Sequence, residues 1–184
     1  MRPLVVAAAA LPLLATTLAA GPATAAPVPA AVSATAVAAK KAPKATRKTT
    51  AMGAVAMRTK GTRYSPTRAA SRLENWARKG VGGYHNGCLR LADNAYQPRG
   101  GRTSTALSQW SRAKRKGFAH PKDRRPLVGA QMFWRTSNPA GHVATYVGGG
   151  KAVTNMPGGR VKKVNWRLMN RWGPYLGWAE PYYG

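Results

Sequence analysis

All six tryptophans and six of the seven tyrosines lie beyond residue 66, so only the C-terminal two thirds of the chain has the aromatic mass to build a core. Residues 27–66 are rich in Ala, Pro, Thr, Lys and Arg, and Tyr64 is their only aromatic. Such a stretch cannot bury enough apolar surface to offset the entropy of ordering it. The chain therefore divides into a compact domain over 67–184 and a leading part that is read separately. About 115 residues suffice for one small core.

Within the leading part, residues 1–25 resemble an export signal. Arg2 supplies the positive start, Leu4 to Ala20 is apolar, and Ala23-Thr24-Ala25 is a small-residue exit. Residues 26–66 read as a disordered basic arm. From Ala26 to Arg72 there are ten Lys/Arg and no acid. The arm is either a tether to an anionic polymer or a spacer. The whole chain carries 30 Lys/Arg against 4 Asp/Glu, a formal charge of +26. That field calls for an anionic partner: nucleic acid, a membrane surface or an anionic cell wall. No other stretch is long and apolar enough for a span, so the mature protein is expected outside the cytoplasm, secreted or wall-associated, and monomeric.

The period of the domain changes partway along it. Ser71-x-x-Glu74 reads as a capping box for a first helix with Leu73, Trp76 and Ala77 on one face. Asn86 is a cap for a second helix to Tyr96, and Ser104 for a third with Ala106, Leu107, Trp110 and Ala113 inward. Four segments then read as strands: Gln131–Trp134, His142–Val147, Lys151–Thr154 and Val161–Trp166. Gly148-Gly149-Gly150 is a hairpin turn, Leu168–Trp172 a helical turn, and Tyr175–Trp178 a last strand. Helices first and antiparallel strands after make an α+β domain.

One cysteine excludes an internal disulfide, and Cys88 with three scattered histidines makes a structural metal site improbable. Cys88 falls in the first turn of the second helix, where backbone N–H groups and the dipole favour a thiolate. A lone buried cysteine is otherwise a small apolar residue. His142 opens a strand after Pro139-Ala140-Gly141, a placement suited to a base beside that helix start. His85 lies in the loop before the cap and is expected to point elsewhere; His120 is read as solvated. A base of this kind needs a polar orienting partner, and the paired strand offers Thr154 and Asn155, only one of which faces His142's side. Trp110 and Trp178 are read as core, with Trp134, Trp166 and Trp172 open to a substrate groove.

Cys88 at a helix start, "PLVGAQMFW" and then "GHVATYVGGGKAV" together resemble the NlpC-type and CHAP-type cell-wall cysteine hydrolases. The resemblance covers roughly Trp76 to Tyr182, and Gly141–Lys151 is its most specific part. It implies a papain-like fold with N-terminal helices packed on an antiparallel β-sheet. It further implies that Cys88 is the nucleophile, His142 the base, and Asn155 the third catalytic residue by chemical type, although strict spacing points to Thr154. Tyr84 and Trp134 are the implied substrate-binding residues. The substrate would be an amide of peptidoglycan, cleaved without metal or organic cofactor, with anionic wall polymers as further partners. Two other readings stand beside this one: a non-catalytic wall- or polyanion-binding module on the same fold, and a basic nucleic-acid-binding protein. Against the last, the folded part holds no nucleic-acid-binding motif. Val128-Gly129-Ala130 and Asn86-Gly87-Cys88-Leu89 depart from the family's usual Pro-Gly-Asp and Asp-Cys-Ser-Gly.

Overall fold

The computed structural model describes residues 56–184. The export signal expected over 1–25 and the arm up to residue 55 lie outside the described residues. Three helices come first: α1 (Pro66–Arg78), α2 (Cys88–Tyr96) and α3 (Ala106–Arg115). Strands β1 (Ala119–Pro121), β2 (Gln131–Trp134), β3 (His142–Gly148), β4 (Lys151–Asn155) and β5 (Val161–Asn165) follow. A short 3-10 helix, Trp166–Arg171, leads to β6 (Tyr175–Ala179). The six strands form one antiparallel sheet in the order β1-β6-β2-β3-β4-β5. This is the α+β arrangement expected from the sequence, helices packed on an antiparallel sheet.

Strand alternation divides the core into two layers. Phe133, Val143, Val153, Val161 and Ala179 face the helices and meet Leu73, Leu89, Leu91, Tyr96 and Trp110. Met132, Trp134, Ala144, Ala152 and Trp178 face the other way and are covered by Trp166 and Met169 of the 3-10 segment. With both faces covered, β2 is buried at all four positions, which is why it reads as a continuous apolar run. Gln131 is the polar member of that run. Its amide donates to the Tyr183 hydroxyl at 2.8 Å, so the buried group is satisfied.

The helix starts differ from the sequence expectations. α1 begins five residues before the expected box: Ser65 caps it, its hydroxyl accepting from the Arg68 N–H, and Pro66 takes the first turn. Ser71 sits inside the helix and donates to the Thr67 carbonyl. Thr105, not Ser104, caps α3 through the Ser108 N–H at 3.0 Å. Asn86 does not cap α2. It adopts φ 51°, and Gly87 takes the cap position without a side-chain bond.

The segment 58–64, assigned to the basic arm by composition, is part of the fold. Lys60 pairs with the C-terminal segment: its N–H donates to Pro181 O at 3.1 Å and its carbonyl accepts from the Tyr183 N–H at 2.8 Å. The Arg58 guanidinium grips the buried Glu180 carboxylate, Nη2 to Oε1 at 2.9 Å and Nε to Oε2 at 3.0 Å. His120 shares that carboxylate at 3.1 Å and stacks on Trp178, with ring centroids 3.7 Å apart. It is therefore a structural residue and not the solvated histidine read from the sequence. Its strand, β1, is too short to leave a sequence signal.

Candidate active site

Cys88 is the first residue of α2, and His142 the first of β3. Both open onto one cleft of about 610 Å³, a size suited to a small-molecule or peptide ligand. Gly141 sets the entry to β3. At φ +69° it lies in the left-handed region, and a Cβ there would come within 2.6 Å of the Leu107 side chain. The strand thus enters tightly against α3, and the imidazole is delivered at the sheet end.

Among the described residues, the imidazole has one side-chain hydrogen-bond partner. His142 Nε2 lies 2.8 Å from Thr154 Oγ1. The same hydroxyl lies 3.1 Å from the Val143 carbonyl, which can only accept. The single hydroxyl proton therefore goes to Val143 O, and Oγ1 accepts from Nε2–H. That selects the tautomer in which Nδ1 carries the lone pair. Trp172 meets the ring edge-on at 5.0 Å, and Trp134 lies at 6.3 Å. This dry surrounding pushes the His142 pKa down to about 4, so the imidazole is neutral at neutral pH.

Burial acts on the thiol as well. It pushes Cys88 above the ordinary thiol value, although the Val143 and Leu89 backbone N–H groups favour the thiolate. The helix-start placement had pointed to a lowered thiol; desolvation outweighs it. Burial thus favours the neutral form of each group.

Thr154 and Asn155 separate by strand alternation. Thr154 shares a face with Ala152 and reaches the imidazole, whereas Asn155 follows Val153 toward the helix side. The Asn155 amide donates to the Tyr84 carbonyl at 2.7 Å. Asn155, taken from the sequence as the partner of His142, thus ties β4 to the loop that precedes Cys88, and its side chain still borders the cleft. Tyr84 contributes that carbonyl. Its ring lies outside the cleft, its hydroxyl accepting from Asn94 Nδ2 at 3.1 Å. Trp134 is wholly buried, with its indole N–H donated to Asn170 Oδ1 at 2.9 Å, so it is core and not a substrate contact. Trp110, Trp166 and Trp178 are buried too.

Residues that border the cleft without having been singled out for it include Arg171 and Asn138; Trp172 had been left open and His85 assigned elsewhere. No local pattern marks them, because each comes from a loop or turn whose position is set by packing. Among the described residues, no cluster of His, Cys, Asp or Glu could hold a metal ion, and no helix is long and apolar enough to cross a membrane.

The sequence matches no family model and no curated protein. Among solved structures the fold is similar to NlpC1 from Trichomonas vaginalis, at 20% identity over 69% of this chain and 49% of that one, with a TM-score of 0.42. It is also similar to NlpC2 from the same organism, at 19% identity over 69% and 51% of the two chains and a TM-score of 0.44. A third is an NlpC/P60 family protein from Bacillus cereus, at 21% identity over 62% and 40% and a TM-score of 0.42. The chain spans about half the length of these structures or less. These likenesses concern the fold; the chemistry of Cys88 and His142 rests on their own geometry.

Proposed function

We propose that the protein is a secreted cysteine hydrolase that cleaves amide bonds of peptidoglycan. The observation that carries this reading is that Cys88, at a helix start, and His142, whose Nε2 is held by Thr154, line one cleft. Support for a wall substrate comes from the resemblance of Gly141–Lys151 to wall hydrolases and from the +26 charge. Arg171 and Trp172 at the cleft suit a peptide that carries carboxylates.

The chemistry follows from two neutral partners. As Cys88 Sγ attacks the amide carbon, its proton passes to His142 Nδ1, and the carbonyl oxygen becomes the oxyanion. The backbone N–H groups of Val143, Leu89 and Cys88 itself favour negative charge at the sulfur and are the donors proposed for that oxyanion. The tetrahedral adduct collapses, the C–N bond breaks, and His142 gives its proton to the leaving amine. Water, deprotonated by His142, then attacks the thioester carbon and releases the acid and the thiol. Thr154 keeps Nε2 occupied throughout, so Nδ1 alone exchanges protons. Anionic wall polymers are proposed as the partners of the remaining positive surface.

The test is mass analysis of peptidoglycan fragments after digestion. Wild-type protein should release new termini at one amide, and Cys88→Ala should release none. If fragments persist with Cys88→Ala, the catalytic reading is wrong. If neither protein cuts but both bind the wall, the chain is a binding module, a reading that the raised thiol favours.

A further inference from the structure

A second concavity of about 500 Å³ lies beside α1 and α2, and four arginines line it. Arg72 comes from α1, Arg63 from the segment before it, and Arg99 and Arg102 from the loop after α2. Backbone pairing holds two of these in place. The Arg63 N–H donates to the carbonyls of Tyr96 and Gln97 at 3.2 and 3.1 Å, and the Arg99 N–H to Gly61 O at 2.7 Å. Thr62 and Pro98 form the bridge between the two segments. The Arg72 guanidinium lies over the rings of Tyr64 (4.6 Å) and Trp76 (5.1 Å), and its buried Nε has no partner.

Gathering four guanidinium groups is unfavourable without a counter-charge. Among the described residues none of the four is in an ion pair. The chain has only four Asp/Glu, and all lie among the described residues. Glu74 pairs with Lys163, Asp123 with Arg125, and Glu180 with Arg58 and His120. Asp93, buried in α2, feels the charge of Arg102 but makes no ion-pair contact.

We infer that this concavity binds the phosphate groups of an anionic phosphodiester polymer whose repeating unit carries no base. Guanidinium forks match phosphate oxygens in pairs, and four of them suit adjacent phosphates better than a single carboxylate. Single-stranded nucleic acids are held by stacking bases on open aromatic faces. Here Arg72 lies over one face each of Tyr64 and Trp76, and Arg90 over one face of Tyr84 at 5.3 Å. Guanidinium groups thus already occupy a face of these rings, so the site favours phosphate over base stacking. It is separate from the Cys88 cleft and does not depend on the cleft's chemistry.

The test uses the full chain with ¹⁵N-labelled indoles, titrated at fixed salt with a glycerol-phosphate oligomer, with polyglutamate of equal charge and with oligothymidylate. The Trp76 indole N–H should shift saturably with the glycerol-phosphate oligomer. Polyglutamate should bind more weakly, and oligothymidylate no more tightly. Arg63→Ala combined with Arg99→Ala should weaken the Trp76-detected affinity roughly ten-fold or more. Arg102→Gln should weaken it in the same direction. Lys114→Ala combined with Lys116→Ala, on the exposed end of α3, should leave it unchanged. The assignment is overturned by an unmoved Trp76 resonance, by polyglutamate binding as tightly, or by tighter binding of oligothymidylate. An equal loss in the lysine pair overturns it as well, because binding would then follow net charge alone.

Discussion

Thr154 Oγ1 lies 2.8 Å from His142 Nε2 while donating its own proton to the Val143 carbonyl, so it receives the imidazole N–H and leaves the Nδ1 lone pair free for the proposed role of base. Removing the hydroxyl isosterically isolates this role. Thr154→Val should lower kcat by roughly ten- to a hundred-fold with little change in KM, since substrate contacts are intact. It should also cost about 1 kcal/mol of stability through the unpaired Val143 carbonyl. Thr154→Ser, which keeps the hydroxyl, should recover most of the rate. An unchanged kcat in Thr154→Val would remove Thr154 from the machinery.

Stability should depend on pH through His142. Its folded pKa of about 4 lies below the ordinary 6.5, so between those values the unfolded chain binds the extra proton. Stability from this group is full above pH 6.5 and falls as the pH drops toward 4, by roughly 3 kcal/mol in all. Urea unfolding at pH 7 and pH 4.5 measures it. His142→Gln should lose most of that difference, and an equal difference in the variant would refute the assignment.

Cys88 should alkylate slowly at neutral pH. Burial holds the thiol above its usual value, so the iodoacetamide rate should still be climbing past pH 9. A rate that levels off below pH 7 would mean a thiolate–imidazolium pair instead.

The segment 58–64 should be indispensable to the domain. Compared with a chain starting at Ala56, one starting at Ser65 loses the Lys60, Gly61, Arg63 and Tyr64 backbone bonds and leaves Glu180 without Arg58. Its melting temperature should fall by roughly 5–10 °C. Equal melting temperatures in a calorimetric scan would place the segment outside the fold.

Two tryptophans should behave oppositely. Trp134→Ala opens a cavity in the sheet's second layer and should destabilise by about 3–5 kcal/mol. Trp172→Ala, at the half-buried cleft wall, should raise KM while stability changes far less. Urea titrations alongside substrate saturation curves separate the two effects.

The two principal site residues were legible because local pattern carries them. Cys88 precedes a run of helical period, and His142 opens a strand that begins after a glycine turn. The choice between Thr154 and Asn155 was not legible from chemical type, since an amide is the commoner partner of a catalytic imidazole. Strand alternation made it, by placing Thr154 on the imidazole's face. Trp134 could not be distinguished from Trp172 either: both are tryptophans near His142, and only the packing of the 3-10 segment buries one and leaves the other at the cleft.

The sequence by itself determined the α+β order of elements and singled out the two residues proposed to exchange a proton, because helical and strand periods and turn glycines are local properties. Tertiary structure alone decided that residues 58–64 belong to the fold, that the hydroxyl of Thr154 rather than the amide of Asn155 holds His142, that the thiol is raised rather than lowered, and that four arginines meet in one concavity. Each of these depends on groups distant in the chain: Lys60 on Tyr183, Thr154 on His142, Cys88 on the burial around it, and Arg63 on the end of α2. Burial and pairing across such distances are created by packing, and no local pattern encodes them.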